Sequence, residues 1–517
     1  MKSWLFLICV SVQFSAQITL KVREIPKDTP KNTTIYVAGN CNGWNPNAAP
    51  LIADEKGNHS ITLPDGDGTI EYKFTRGSWD TAEGNASGKP IPNRNSTFTS
   101  KPQTIESKII SWVKTAEKAS SAANNIQDLQ YFGEFGGVNP SISDSSTYTF
   151  LSAKTMFDTF EGNTEGCYLY SRHSSPSNLY LGQALAQMEG TESANVTASG
   201  MGAITSTLLQ LCKSGDHIIS SRTIYGGTYA FMKNFLPGLQ INTSFVDITD
   251  LDKVESAINK NTKVIFCETV SNPLLEIADL EALAKLAKKH QLKLVVDNTF
   301  SPLSVAPIQL GADIVIHSLT KFINGSSDAV AGVVCATSSF INDLKDVNSG
   351  ACMLLGPTLD SLRASSILKN LRTLHIRIKK HSENAQYLAE KFENDGLDVK
   401  YPGLKSHKQH ELFRKMMNEE YGFGGLLTLD VKTVEKANEL MELMQKENLG
   451  YLAVSLGFYK TLFSASGSST SSEIPVDEQK EMGLSPGLIR MSVGLDHDIQ
   501  RTYEKMKKCM QQIGILN

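Results

Sequence analysis

Lys321 and Asp297 are the residues whose types and placement offer chemistry. The run Gly311-Ala312-Asp313-Ile314-Val315-Ile316-His317-Ser318-Leu319-Thr320-Lys321 is an apolar strand that opens into a polar turn ending in a lysine. Upstream, Lys293-Leu294-Val295-Val296-Asp297-Asn298-Thr299 has the same shape and delivers a carboxylate. A lysine and an aspartate at the C-terminal ends of two buried strands suit pyridoxal phosphate (PLP). The amine bonds the cofactor aldehyde, and the carboxylate keeps the pyridine nitrogen protonated so that the ring accepts electrons. A strand-end lysine taken alone is more often a solvated cap, so the argument rests on what surrounds it.

Ser199-Gly200-Met201-Gly202-Ala203-Ile204 opens a helix after the apolar turn Ala194–Ala198. Small residues there free backbone N–H groups to cradle a phosphate at the positive helix end. Ser318 and Thr320 would add hydroxyl donors. Tyr225, within Ile224-Tyr225-Gly226-Gly227-Thr228, follows a predicted strand. Its ring is either a stacking surface for a flat cofactor or an ordinary turn tyrosine.

These groups need elements that bring strand ends together. From about residue 150 helices alternate with buried strands. Helices are predicted at Ser177–Glu189, Met201–Lys213 and Asp279–His290, and strands at Asp216–Ser220, Thr262–Glu268, Lys293–Asp297 and Asp313–His317. That alternation implies a mostly parallel sheet covered on both faces, with ligands beyond the carboxyl ends of its strands. Residues 375–517 read as a smaller α+β domain with a helix at Ser382–Asn394, strands near Gly425–Leu429 and at Leu488–Val493, and a closing helix from Asp498. Residues 17–105 read as all-β: short alternating or β-branched runs between Pro, Gly, Asn and Asp clusters suggest a small sandwich. Residues 106–125 read as a linker.

The 517 residues imply more than one domain. A net charge of −4 gives no reason to expect nucleic acid or anionic membrane as a partner. Eight scattered cysteines without a Cys-x-x-Cys pair suggest neither a metal site nor a disulfide framework. The basic Met1-Lys2, the apolar Trp4–Val12 and the step Ala16-Gln17 read as a secretory signal over residues 1–16.

Together the motifs resemble the PLP-dependent enzymes of Cys/Met metabolism, which include cystathionine γ-synthase, cystathionine lyases, methionine γ-lyase and O-acylhomoserine sulfhydrylases. The resemblance covers roughly residues 125–517. It is carried by Ser199–Ile204, Tyr225–Thr228, Glu268–Pro273, Asp297–Phe300, His317–Lys321, Ala453–Gly457 and Ile489–Gly494. It implies an α/β, fold type I PLP-dependent transferase: a mostly parallel seven-stranded sheet in a large domain with an N-terminal arm (126–374), and an α+β domain (375–517). It also implies the roles. Lys321 would bond the cofactor and later shuttle protons, and Asp297 would pair with the ring nitrogen. Gly200, Met201, Ser318 and Thr320 would hold the phosphate, and Tyr225 would stack on the ring and help to deprotonate the incoming amine. Arg490, with Asn272 and Ser455, would grip the substrate carboxylate, a task suited to a bidentate guanidinium; an ordinary ion pair is the alternative for that arginine. Tyr170 and Arg172 would reach the phosphate of a neighbouring subunit, implying at least a dimer and, by resemblance, a tetramer. The implied reaction is elimination or replacement at the γ or β carbon of a sulfur amino acid or homoserine ester, with γ-elimination favoured. Cystathionine γ-synthase or O-acylhomoserine sulfhydrylase chemistry is the alternative. Ser175-Pro176-Ser177, Gly227, Gly325-Ser326-Ser327-Asp328, Lys369-Asn370 and Ser469–Ser472 depart from the family pattern, several of them where subgroup specificity is set.

Gly39–Pro46 and Tyr72–Trp79 resemble a starch- or glycogen-binding sandwich. Trp44 and Trp79 would then stack sugar rings; packing is the alternative. A carbohydrate module behind a secretory signal points to the periplasm or beyond, whereas the enzyme-like part points to the cytoplasm. The chain is therefore an exported two-part enzyme, a secreted glycan-binding protein with an idle PLP-type domain, or two proteins joined near residues 115–130.

Overall fold

The computed structural model describes residues 17–30, 33–54, 57–86, 88–113, 121–164, 166–465 and 474–517. The signal at 1–16 and the Ser469–Ser472 departure lie outside them. The chain forms two compact units, Met1–Ser121 and Ala122–Asn517.

In the first unit, Ile18–Glu24 lies antiparallel to His59–Leu63 and parallel to Gln103–Lys108. A second sheet holds Tyr36–Gly39, Thr69–Thr75 and Arg94–Thr97. Side chains alternate across a strand, so Ile18, Leu20 and Val22 meet Val37, Ile70, Tyr72 and Phe74 in one core between the sheets. The strands continue past residue 105 into the segment read as a linker. Ser111–Trp112 pairs with Glu83–Gly84, and Trp112 is buried. Gln103–Lys108 is polar because Thr104, Glu106 and Lys108 face solvent at the end of the sheet, which hid it from a search for apolar runs.

The second unit centres on a seven-stranded sheet in the order Ser193–Thr197, Gly332–Ala336, Ile314–Ser318, Lys293–Asp297, Thr262–Glu268, His217–Ser221, Asn242–Val246. All strands run one way except Gly332–Ala336, which is antiparallel to both its neighbours. Both faces are covered: Leu294 and Val296 enter one core while Val295 enters another. The segment expected as a turn at Ala194–Ala198 is instead mostly the edge strand Ser193–Thr197. Its register against Gly332–Ala336 sets where the following helix starts.

The helix expected at Ser382 begins at Leu374 and runs to Asn394. Its first turns pack Leu374 and Ile378 into the large core, and its later turns pack Leu388 and Phe392 into a separate smaller core. That smaller core lies against a five-stranded sheet ordered Asp398–Lys400, Leu426–Asp430, Leu488–Ser492, Leu462–Ala465, Tyr451–Leu452. Among the described residues no helix is long and apolar enough to cross a membrane, and no cluster of His, Cys, Asp and Glu could hold a metal ion.

Candidate active site

A cavity of about 310 Å3 opens beyond the C-terminal ends of the parallel strands. Gly200, Met201, Tyr225, Asn272, Asp297, Ser318, Thr320, Lys321 and Arg490 all line it. Ser455 joins them through Lys321, whose Nζ donates to Ser455 Oγ at 3.1 Å.

The floor comes from the strand ends. Asp297 and Glu268 lie opposite each other in register on neighbouring strands, and both are buried. Burial pushes both carboxyls upward from their ordinary range, and repulsion from Asp297 adds to the rise at Glu268. The amide of Thr299 donates to Asp297 Oδ1 at 2.9 Å and fixes its orientation. Lys321 sits in the turn after Ile314–Ser318. Desolvation, then the positive charge of Arg490, pull its amine down to about 8. A buried amine of that kind is an effective base near neutral pH.

One wall is the start of the helix Gly200–Leu211. Ser199 caps it by accepting from the Gly202 amide at 2.9 Å. The amides of Gly200 and Met201, in the first turn, have no carbonyl partner within the helix. A Cβ at position 200 would lie 2.8 Å from Ser318 Cβ. Glycine alone lets the helix start press against the strand end, which brings the Ser318 hydroxyl beside the free amides. Thr320 is fixed nearby, its hydroxyl accepting from the Ala331 amide at 3.1 Å.

The opposite wall comes from the smaller domain. Gly457, at φ +79°, lies against the backbone of Lys321 and Phe322; a Cβ there would meet Phe322 N at 2.5 Å. This close approach carries Ser455 to Lys321. Arg490 is 3% exposed. Its Nη1 donates to Asn272 Oδ1 at 3.0 Å and its Nη2 to the Ser455 carbonyl at 3.2 Å. Tyr225 is half-exposed at the cavity, with its ring folded over Gly227.

Glu268 has a place that its strand-end position hinted at without assigning a task. It accepts from the Tyr225 amide through Oε1 and from the Asn272 amide through Oε2, each at 2.8 Å. One carboxylate therefore ties Tyr225 to the partner of Arg490. Thr299, Phe300, Val330, Val454 and Leu456 also line the cavity. Val454 lies in the segment Ala453–Gly457 without having been assigned a place in the site, and nothing in the sequence marks Val330.

Tyr170 and Arg172 are not in this cavity. Arg172 donates to the Met353 carbonyl at 2.9 Å and stands 5.8 Å from the Tyr170 ring centre, and both side chains are exposed. In the separate N-terminal unit, the Trp44 and Trp79 rings lie 6.2 Å apart at 38°.

These residues fit pyridoxal phosphate. The buried Asp297 carboxyl, whose charge burial disfavours, would be restored as a carboxylate by a protonated ring nitrogen beside it, the first-turn amides of Gly200 and Met201 would receive a phosphate, and Lys321 lines the same cavity. A lysine facing such a cradle at the carboxyl edge of a parallel sheet is the arrangement of a PLP-dependent enzyme, and fold and cavity define that class. The chain belongs to the Cys/Met metabolism PLP-dependent enzyme family, which matches residues 122–509. It is 44% identical over 399 residues to methionine γ-lyase from Arabidopsis thaliana, covering 76% of this chain and 90% of that protein. It is 37% identical to L-methionine γ-lyase from Fusobacterium nucleatum subsp. polymorphum, over 72% of this chain and 95% of that one. Among solved structures it is similar to one assigned as an O-acetylhomoserine (thiol)-lyase from Campylobacter jejuni, which contains N'-pyridoxyl-lysine-5'-monophosphate. The TM-score is 0.71 and the identity 30%, over 76% of this chain and all of the other.

Proposed function

We propose that the enzyme eliminates the γ-substituent of a sulfur amino acid, with methionine as the favoured substrate and a thiol, a 2-oxo acid and ammonia as products. The observation that carries this reading is the convergence of Lys321, Asp297 and Arg490 on one cavity, supported by the likeness to methionine γ-lyases. The bound cofactor supplies an electron sink for negative charge that develops on the substrate. Asp297 would hold its ring nitrogen, while Gly200, Met201, Ser318 and Thr320 would hold its phosphate. Arg490 grips the substrate carboxylate, kept in place by Asn272 and Ser455, and this fixes which Cα bond faces Lys321. Lys321 Nζ takes the proton from Cα and returns protons as the γ-substituent departs. The hydrogen bond from Nζ to Ser455 Oγ aims the amine while it is free. Tyr225 would stack on the ring and take a proton from the incoming substrate amine.

γ-Replacement on a homoserine ester is the second reading, favoured by the likeness to an O-acetylhomoserine (thiol)-lyase. Incubating the purified protein with methionine, cystathionine and O-acetylhomoserine, with and without added sulfide, separates the two. Thiol and 2-oxo acid from methionine alone support elimination. Homocysteine formed only from ester plus sulfide, with methionine untouched, contradicts it.

The assembly we propose is a dimer or a pair of dimers in which Tyr170 and Arg172 complete a neighbour's phosphate site. Phe132, Phe135, Val138, Leu151 and Phe157 are all exposed on the same N-terminal arm, an apolar load that a second copy would cover. For the N-terminal sandwich we propose glycan binding at Trp44 and Trp79. Neither ring belongs to the sandwich core, and Trp79 is 45% exposed. Retention on an α-glucan column that is lost in Trp79→Ala tests this.

A further inference from the structure

The helix Leu374–Asn394 passes from one core to the other. Leu374 and Ile378 pack into the core of the seven-stranded sheet, and Ala385, Leu388 and Phe392 into that of the five-stranded one. Between them the helix buries polar side chains: His381 is 0% and Asn384 1% exposed. With Arg377 they stand at positions i, i+4 and i+7, on one face.

All three give N–H groups to backbone carbonyls beside the cavity residues. Arg377 donates through Nη1 to the Phe322 carbonyl and through Nη2 to the Ile323 carbonyl at 2.8 Å. Those two residues follow Lys321, in a turn that the Gly325 amide closes onto the Lys321 carbonyl at 2.8 Å. A cation on the last carbonyls of such a turn stabilises it. His381 donates through Nδ1 to the Val493 carbonyl at 2.7 Å, and its ring meets the Phe322 ring edge-on with centres 5.2 Å apart. Burial above all, and also the Arg377 charge, pull this imidazole down to about 4, so the ring is neutral and its single N–H is the one given to Val493. Asn384 Nδ2 donates to the Gly494 carbonyl at 2.9 Å and to the Asp496 carbonyl at 2.8 Å. Val493 and Gly494 directly follow the strand Leu488–Ser492 that carries Arg490.

We infer that Arg377, His381 and Asn384 are positioning residues that set the reach from Lys321 to a substrate held by Arg490. The lysine and the arginine belong to different sheets with different cores, and apolar packing between those cores is non-directional. Bonds to buried carbonyls are directional, and leaving either partner unpaired is costly. One helix face thus fixes the turn after Lys321 and the strand end after Arg490 in a single register. A misplacement of about 1 Å between reacting groups can cost about a hundredfold in rate. The inference rests on the reading of Arg490 as the carboxylate anchor.

The test follows exchange of Cα hydrogen with deuterated water by proton NMR, in the intact holoenzyme, for two ligands. Norleucine has methionine's length without a γ leaving group, and pentylamine is norleucine without its carboxylate. His381→Phe keeps a ring beside Phe322 but loses the donor to Val493. It should slow norleucine exchange about tenfold or more, with pentylamine exchange and the amount of cofactor trapped on Lys321 by borohydride near wild type. His381→Asn keeps a donor near the Nδ1 position and should recover most of the loss. Asn384→Leu, close to isosteric, releases the same strand end and decides by the same ratio if His381→Phe does not fold. Unchanged norleucine exchange in these variants, or equal slowing of both ligands, overturns the inference. Arg377→Lys loosens the Lys321 end instead and should slow both ligands alike; no change there, or a change confined to norleucine, removes Arg377 from the set. Arg490→Ala is the separate control. If it leaves the preference for norleucine over the amine intact, the carboxylate reading itself has failed; if it abolishes the preference while His381→Phe and Asn384→Leu keep it, only the present inference has.

Discussion

Two sheets meet at the cavity, and they supply their functional groups in different ways. The seven-stranded sheet presents Asp297 and Glu268 at the ends of buried strands and Lys321 in the turn after another. There the apolar run stops and the backbone turns, so a charged side chain escapes the core while staying close to it. The five-stranded sheet presents Arg490 from the middle of a strand, on the face turned away from its own core. That arginine is buried except where it lines the cavity, and its guanidinium is held by partners from two distant segments, Asn272 and the Ser455 carbonyl. Strand ends bring the lysine and the carboxyls to the cavity, and a strand face brings the arginine to it from the other side.

The difference predicts separable losses. Lys321→Ala, at the first sheet, should lower kcat by about a thousandfold or more, because both the base and the covalent tether go. Single-turnover kinetics in added cofactor measures it, and a loss below tenfold would break the assignment. Asp297→Asn should lower kcat by about a hundredfold and weaken cofactor retention on dialysis. Arg490→Ala, at the second sheet, should act mainly on KM. Loss of a buried charge-assisted pair costs about 2–3 kcal/mol, or roughly a hundredfold in affinity. If kcat fell in step with KM in that variant, the two sheets would not divide the work as described.

The contrast also sets how much the sequence disclosed. The lysine and aspartate were legible because an apolar run closing on a charged residue is a local pattern that survives without the fold. The helix-start cradle was legible for the same reason, through Ser199, Gly200 and Gly202. Arg490 was less legible: its apolar neighbours in Leu488–Val493 favoured a positioned arginine over a surface ion pair, but its task came only from the family resemblance. The hydrogen bonds that Glu268 accepts from the Tyr225 and Asn272 amides had no local signal, because they tie the end of its own strand to the loop after a neighbouring one. The edge strand Ser193–Thr197 and the outer strand Gln103–Lys108 escaped for another reason. Both lie at the edge of their sheets and carry few apolar residues, so no apolar run marks them.

A smaller effect links the two sheets. The Arg490 charge helps to hold the Lys321 amine down to about 8. Only the neutral amine attacks an aldehyde, so cofactor loading of the apoprotein should be fast above pH 8. It should slow about tenfold per unit as pH falls below that value. Arg490→Met removes the repulsion, so the amine's affinity for protons rises and the break in the profile should move to higher pH. Stopped-flow absorbance reads both curves, and an unmoved break would mean that the two groups do not sense each other. Glu268→Gln can satisfy only one of its two amides, and a several-fold rise in KM for about 1–2 kcal/mol is expected.

The most direct measurement traps the tether itself. Borohydride reduction of the purified yellow protein, followed by proteolysis and mass spectrometry, should leave the pyridoxyl phosphate mass on Lys321 and nowhere else. The label on any other lysine, or an undiminished label in Lys321→Ala, would contradict the site from which the whole account is built.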